Sequence, residues 1–177
     1  MAELHVIGSI VGASGFEGQN IFCKWGITAG RSWDLLEGLD KGQTQVDHPE
    51  DGEIAVWEHP LDIHYICKGL SGWPKLHFQV WSQDSHGRND ISGYGFCHIP
   101  TAAGVYDIDC PTWLPEGSLG ERLTGFFVGG HPRLRWEEVV HSPGDRFRLQ
   151  TVAGGMIHLH LGIVTKDFER HNVHTGS

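Results

Sequence analysis

His158-x-His160 is the first pattern in this chain that can do chemistry. On a β-strand, residues i and i+2 share a face, so two imidazoles at this spacing can grip one metal ion. A metalloenzyme of cupin-like type is the chemistry such a pair would serve, but no third ligand is identifiable. The neighbours favour a plainer role. Ile157, Leu159, Leu161 and Ile163 alternate with the two histidines and form the natural core set, which turns the imidazoles outward to solvent or a partner. Thirteen histidines also make the spacing easy to meet by coincidence. Cys23, Cys67, Cys97 and Cys110 lack a C-x-x-C spacing and sit in strand-like segments, so they read as small buried hydrophobes with reduced thiols. Two carboxylates, Asp84 and Asp90, lie in the polar run Ser82–Asp90, which has Gly87 inside it and must be a loop.

That loop has a recognisable setting. Leu76, Phe78 and Val80 alternate with His77, Gln79 and Trp81, the period of a half-buried strand, and strand character returns over Tyr94–Ile99. The arrangement resembles the ligand-bearing loop of C2 domains, in which a strand leads into Asp-x-Asp and a third Asp precedes the next strand. Ser82 falls where the first Asp would be, Asp84 and Asp90 fall on the second and third, and Ile91 and Gly93 complete the pattern. Calcium takes six to eight oxygen ligands, usually with several carboxylates. A hydroxyl at the first position removes a charge and a bidentate ligand, so a working site would need further acids, such as Asp47 or Asp51. The expectation is a loop that has lost calcium and whose carboxylates cap turns through Asx-type bonds.

The elements that carry these residues are strands. Leu4–Val11, Ile21–Ile27, Ile54–Cys67 interrupted at His59-Pro60, Leu76–Trp81, Tyr94–Ile99, Val105–Cys110, Arg146–Val152 and Met156–Val164 all read as strands between Gly- and Pro-containing turns. Pro60 cannot donate to a central ladder, so a bulge or an edge is expected there. Trp33–Gly38 reads as a helical turn or irregular, and 39–53 as a long polar connection. Ala153-Gly-Gly155 is expected to turn a hairpin. Ser118-Leu-Gly-Glu121 fits a capping box, placing one short helix near 119–127. The sum is an all-β, eight-stranded antiparallel β-sandwich, C2-like, in a single domain over 3–168 with a flexible tail over 169–177.

Composition narrows the partners. The net charge is −9, from 13 basic and 22 acidic residues, which weighs against nucleic acid and against strong adsorption to anionic lipid. Arg133, Arg135, Arg146 and Arg148 form a local basic cluster; Arg146 and Arg148 alternate with Phe147 and Leu149, on a face that suits solvent, an acidic partner or lipid headgroups. No apolar run approaches the roughly 20 residues that span a bilayer. The first residues lack the pattern of a signal peptide, so an intracellular protein is expected. Trp25 belongs to a core face. Trp81 either packs beneath a neighbouring connection or anchors an interface.

Val6–Ala13, Phe22-Cys-Lys-Trp-Gly26, Gly72-Trp-Pro-Lys-Leu-His-Phe-Gln-Val-Trp81, Gly93-Tyr-Gly-Phe-Cys-His-Ile-Pro100 and Cys110-Pro-Thr-Trp113 together resemble the B9 domain family. The resemblance covers residues from about Glu3 to Phe168. It implies a divergent C2 sandwich with no enzymatic activity, acting as a scaffold in the transition-zone assembly at the base of the primary cilium, with its basal body. That assembly is linked to Meckel syndrome and tectonic proteins, supports ciliogenesis and restrains membrane-protein diffusion. Implied partners are other B9 domain proteins and tectonic-type proteins, with peripheral contact to the nearby membrane and no small-molecule substrate. No catalytic residue, cofactor or metal ligand carries over. The competing reading is an autonomous membrane-binding C2 module, calcium-dependent or not.

Overall fold

The computed structural model describes residues 1–18, 20–50, 54–115 and 151–168. Nine strands occupy them: β1 Ala2–Ser14, β2 Ile21–Thr28, β3 Trp33–Gly38, β4 Lys41–Gln43, β5 Ala55–Cys67, β6 Lys75–Gln83, β7 Asn89–His98, β8 Gly104–Pro115 and β9 Thr151–Lys166. They form one hydrogen-bonded sheet in the order β3-β5-β1-β9-β8-β7-β6-β2-β4. Every pairing is antiparallel. The expectation of eight strands in two separate sheets is corrected to nine strands in a single sheet that curls on itself.

The curl has a local cause. β7 and β8 pair only through Tyr94↔Trp113 and Gly95↔Thr112, so the ladder is thinnest there and the sheet can bend. The two halves then share one core. Leu4, Val6 and Ile10 of β1, Leu61 and Ile63 of β5, and Leu159 and Leu161 of β9 cluster with Cys23 and Trp25 of β2 and Leu76, Phe78 and Val80 of β6. These are the alternate positions that strand periodicity assigns inward. Trp57 of β5 spans the gap at one corner, donating its Nε1–H to the Ile21 carbonyl of β2 at 3.2 Å. Trp33 meets Trp73 edge-on at 4.9 Å between ring centroids. Burial of such aromatic area is worth about 1.5–3 kcal/mol per side chain.

Three local expectations change. Trp33–Gly38 is a strand, not a helical turn, because it pairs with β5 from Trp33↔Cys67 to Gly38↔Ile63. The connection over 39–53 contains β4, which pairs with β2. The expected hairpin at 153–155 is a bulge within β9. Trp113 pairs with Ala153 and Pro111 with Met156, so Gly154 and Gly155 together oppose the single residue Thr112. Space explains the glycines: a Cβ on Gly155 would lie 2.3 Å from the Ser14 carbonyl oxygen and 2.6 Å from the Phe16 ring.

The bulge expected beside Pro60 is present. Ile10 pairs with His59 and Gly12 with Val56, which leaves Trp57 and Glu58 opposite Val11, and Glu58 takes φ 43°. β3 covers β5 only from Ile63 onward, so Pro60 stands on an uncovered stretch of edge. The described residues contain no helix. The helix expected near 119–127, the segment Arg146–Gln150 and the tail 169–177 lie outside them. Among the described residues, no helix is long and apolar enough to cross a membrane.

Candidate functional site

The β6–β7 loop shows how Asp84 and Asp90 are bonded. Asp84 Oδ1 accepts the backbone N–H groups of His86 and Arg88, each at 2.9 Å, and Oδ2 receives Arg88 Nε–H at 2.8 Å. The Asp84 carbonyl takes the Gly87 N–H at 3.0 Å, and its N–H donates to the Arg88 carbonyl at 2.9 Å. Gly87 holds φ 79°, which closes the turn. Bonding by the Arg88 N–H first, and then by its guanidinium and the His86 N–H, holds the Asp84 carboxyl below its ordinary range. Both oxygens are thus engaged in building the loop.

The other acids are engaged elsewhere. Asp90 Oδ1 accepts the Ile91 N–H at 3.0 Å. Asp47 Oδ2 accepts the Val56 N–H at 2.8 Å and so ties the 44–47 segment to β5. Ser82, at the position of the first calcium-type acid, accepts a bond from Ser92 Oγ at 3.0 Å. Asp51 lies outside the described residues. Asp84, Asp90 and Asp47 are not brought together as one ligand set.

His158 and His160 point outward, as the alternation of β9 requires. Each has a carboxylate partner across the ladder. Asp109 pairs with His158 and Asp107 with His160, and the Nδ1···Oδ1 separations are 2.7 and 2.6 Å. The two imidazoles therefore belong to separate His–Asp couples. Ser14 Oγ lies 2.8 Å from His158 Nε2, which completes a Ser–His–Asp connectivity. Its surroundings differ from those of a hydrolase. A catalytic Asp is buried, where its charge acts at low dielectric, whereas the side chain of Asp109 is 71% exposed. Asp107 and Asp109 were not singled out in the sequence, and only the β8–β9 register shows that they face His160 and His158.

The aromatic and sulfur residues pack in two clusters. Trp25 is buried in the main core. Trp81 stacks with Phe22 at 6.4 Å, lies 5.0 Å from Lys24 Nζ, and packs on a second cluster of Ile91, Tyr94 and Trp113. Cys23, Cys67 and Cys110 are buried free thiols, and Cys97 is half-buried. Burial pushes the Cys23 thiol up, and a bond with Cys110 together with burial does the same for Cys97. Arg133, Arg135, Arg146 and Arg148 lie outside the described residues.

One convergence was not foreseen. Glu3 and His5 are i, i+2 on β1, and His64 of β5 stands directly opposite His5. Their ligand atoms lie within 4.8 Å of one another. Glu3 and His5 were not singled out in the sequence, and the third member emerges only from the β1–β5 register.

Comparison with known proteins places the whole chain. A family model described as "Ciliary basal body-associated, B9 protein" matches residues 4–164. B9 domain-containing protein 2 of Homo sapiens is 54% identical over 173 residues, covering 98% of this chain and 99% of that protein. The Drosophila melanogaster protein of the same name is 31% identical over 175 residues, covering 98% of each chain. B9 domain-containing protein 1 of Xenopus laevis is 28% identical, covering 98% of this chain and 89% of that protein. Among solved structures, the C2A domain of plant extended synaptotagmin 1 aligns at 12% identity with a TM-score of 0.45, covering 92% of this chain and 93% of that chain.

Proposed function

The chain belongs to the B9 domain family, and from that membership we propose that it is a non-enzymatic scaffold subunit of the transition-zone assembly at the base of the cilium. In this reading it joins other B9 domain proteins and tectonic-type proteins, supports ciliogenesis and helps to restrain diffusion of membrane proteins. The working unit is one B9-type domain over residues 3–168. The observation that carries the proposal is 54% identity to human B9 domain-containing protein 2 across 98% of this chain. The loop chemistry agrees with it, since Asp84 spends both carboxylate oxygens on its own turn. A building block needs a rigid curled sheet, and a calcium-gated membrane binder needs free carboxylates.

The test is replacement in ciliated cells that lack their own B9 domain-containing protein 2. Expression of the tagged chain is expected to restore cilia and to concentrate the tag at the cilium base. Restoration without concentration at the base, or concentration without restoration, would contradict the scaffold role. Binding of the isolated chain to vesicles, with or without calcium, would support the autonomous C2 reading instead.

A further inference from the structure

We propose that Glu3, His5 and His64 form a binding site for a borderline divalent metal ion, with zinc the best fit, on the outer face of the β1–β5 ladder. The three donors converge from two strands. Glu3 Oε2 lies 3.3 Å from His64 Nε2 and 4.0 Å from His5 Nε2. Zinc bonds nitrogen and oxygen at about 2.0–2.2 Å, so tetrahedral ligands stand about 3.3–3.5 Å apart. The Glu3–His64 separation already meets that spacing, and His5 Nε2 has less than 1 Å to close toward Glu3.

Two further features favour a ligand here. His64 Nε2 is buried, and despite its nearness to Glu3 it has no aligned hydrogen-bond partner. A buried ring nitrogen so loosely bonded is free to take a metal ion in place of its present contact. The carboxylate is also held in place from behind. Lys166 Nζ donates to Glu3 Oε1 at 3.0 Å, which leaves Oε2 turned toward the imidazoles. Partners of this kind fix the orientation of ligating carboxylates.

The donor set selects the ion. Two imidazoles and one carboxylate suit zinc and its transition-metal neighbours, whereas calcium takes an all-oxygen shell. The rings of His5 and His64 stack at 3.6 Å between centroids with 23° between planes. Stacked rings hold their in-plane lone pairs nearly parallel, so the His5 side chain, the more exposed of the two, must turn for both nitrogens to meet one ion. The side chains of Glu3, His5 and His64 are 23, 32 and 13% exposed, so an ion can enter from solvent and keep one coordination position open to it. Glu37 of β3, opposite His64 in the ladder, adds negative charge nearby.

The purified chain, stripped with chelator, would be titrated with zinc against a chromogenic zinc indicator. The expected result is one tight zinc per chain, weakened at least about tenfold by His5→Gln and by His64→Gln, and unchanged by His158→Gln with His160→Gln. Bound cobalt is expected to show weak d–d bands without the charge-transfer band of a thiolate ligand. Metal-free melting curves check the fold of each variant, and Glu3→Gln, whose side chain is more exposed than that of His64, supplies the test if His64→Gln does not fold. Absence of a stoichiometric tight site, equal affinity in His5→Gln and Glu3→Gln, or a thiolate band with cobalt would each overturn the proposal.

Discussion

Gly155→Ala tests the way β9 is built. A Cβ at this position would stand 2.3 Å from the Ser14 carbonyl oxygen and 2.6 Å from two Phe16 ring carbons. Ordinary contact begins near 3.4 Å, so the neighbours must give by about 1 Å. The ring can swing aside, but the Ser14 carbonyl belongs to β1, where Ser14 pairs with Met156. The Gly155 carbonyl is held too, by Thr112 Oγ1–H at 2.7 Å. Overpacking of this sort costs about 1–3 kcal/mol. For a chain of this size, each kcal/mol moves the melting temperature by about 2–4 °C. The variant is therefore expected to melt roughly 2–12 °C below the parent in differential scanning calorimetry. Phe16→Ala should add less in the Gly155→Ala background than alone, because the two groups contend for one space. A solvent-facing hairpin turn would predict a different result. A loss below about 0.5 kcal/mol, with Phe16→Ala additive, would refute the bulge and the strand that contains it.

Thr112→Val removes the buried donor to the Gly155 carbonyl and should cost about 1–3 kcal/mol by urea denaturation. Leu161→Ala, at a fully buried core position, should cost about 2–5 kcal/mol in the same measurement. Calcium at millimolar concentration should leave the melting temperature where chelator leaves it, and a calcium-dependent rise would show a working cation loop. Stability should fall as pH drops below about 6.5, because burial lowers the His59 pKa and the unfolded chain then binds the extra proton. It should fall further below about 4.5, as Glu3 and Asp84, both held below their ordinary values, take up protons. On the alkaline side the sign reverses: Cys23 is raised from 9.0 and Tyr65 is pushed up to about 12 by burial, so stability should decline above pH 9. Melting curves from pH 3 to 11 should trace this dome. Ester hydrolysis should run no faster with the chain than with a Ser14→Ala variant, and a serine-dependent rate would show the Ser14–His158–Asp109 set to be active.

Strand periodicity carries most of the fold. Leu76, Phe78 and Val80, and Ile157, Leu159 and Leu161, all lie inside because period-two alternation has one buried solution. What periodicity does not contain is the partner of each strand. Trp33–Gly38 lacks alternation and becomes a strand only because β5 offers an unpaired edge. Gly154-Gly155 reads locally as a turn, since glycine pairs serve both turns and tight bulges, and only the approach of Thr112 and Ser14 decides between them. The same limit governs the site. Asp84 was readable as a turn-capping acid from its place beside His86-Gly-Arg88. The Asp107–His160 and Asp109–His158 couples, and the meeting of His64 with Glu3 and His5, depend on register between strands far apart in the chain.

The scaffold role is tested most directly by mixing the purified chain with purified B9 domain-containing protein 1 and measuring molar mass by light scattering after size exclusion. A single species with the summed mass of the two chains, formed equally in calcium and in chelator, is the predicted result. Two separate peaks at micromolar concentration, with the chain alone sedimenting on anionic vesicles, would contradict it.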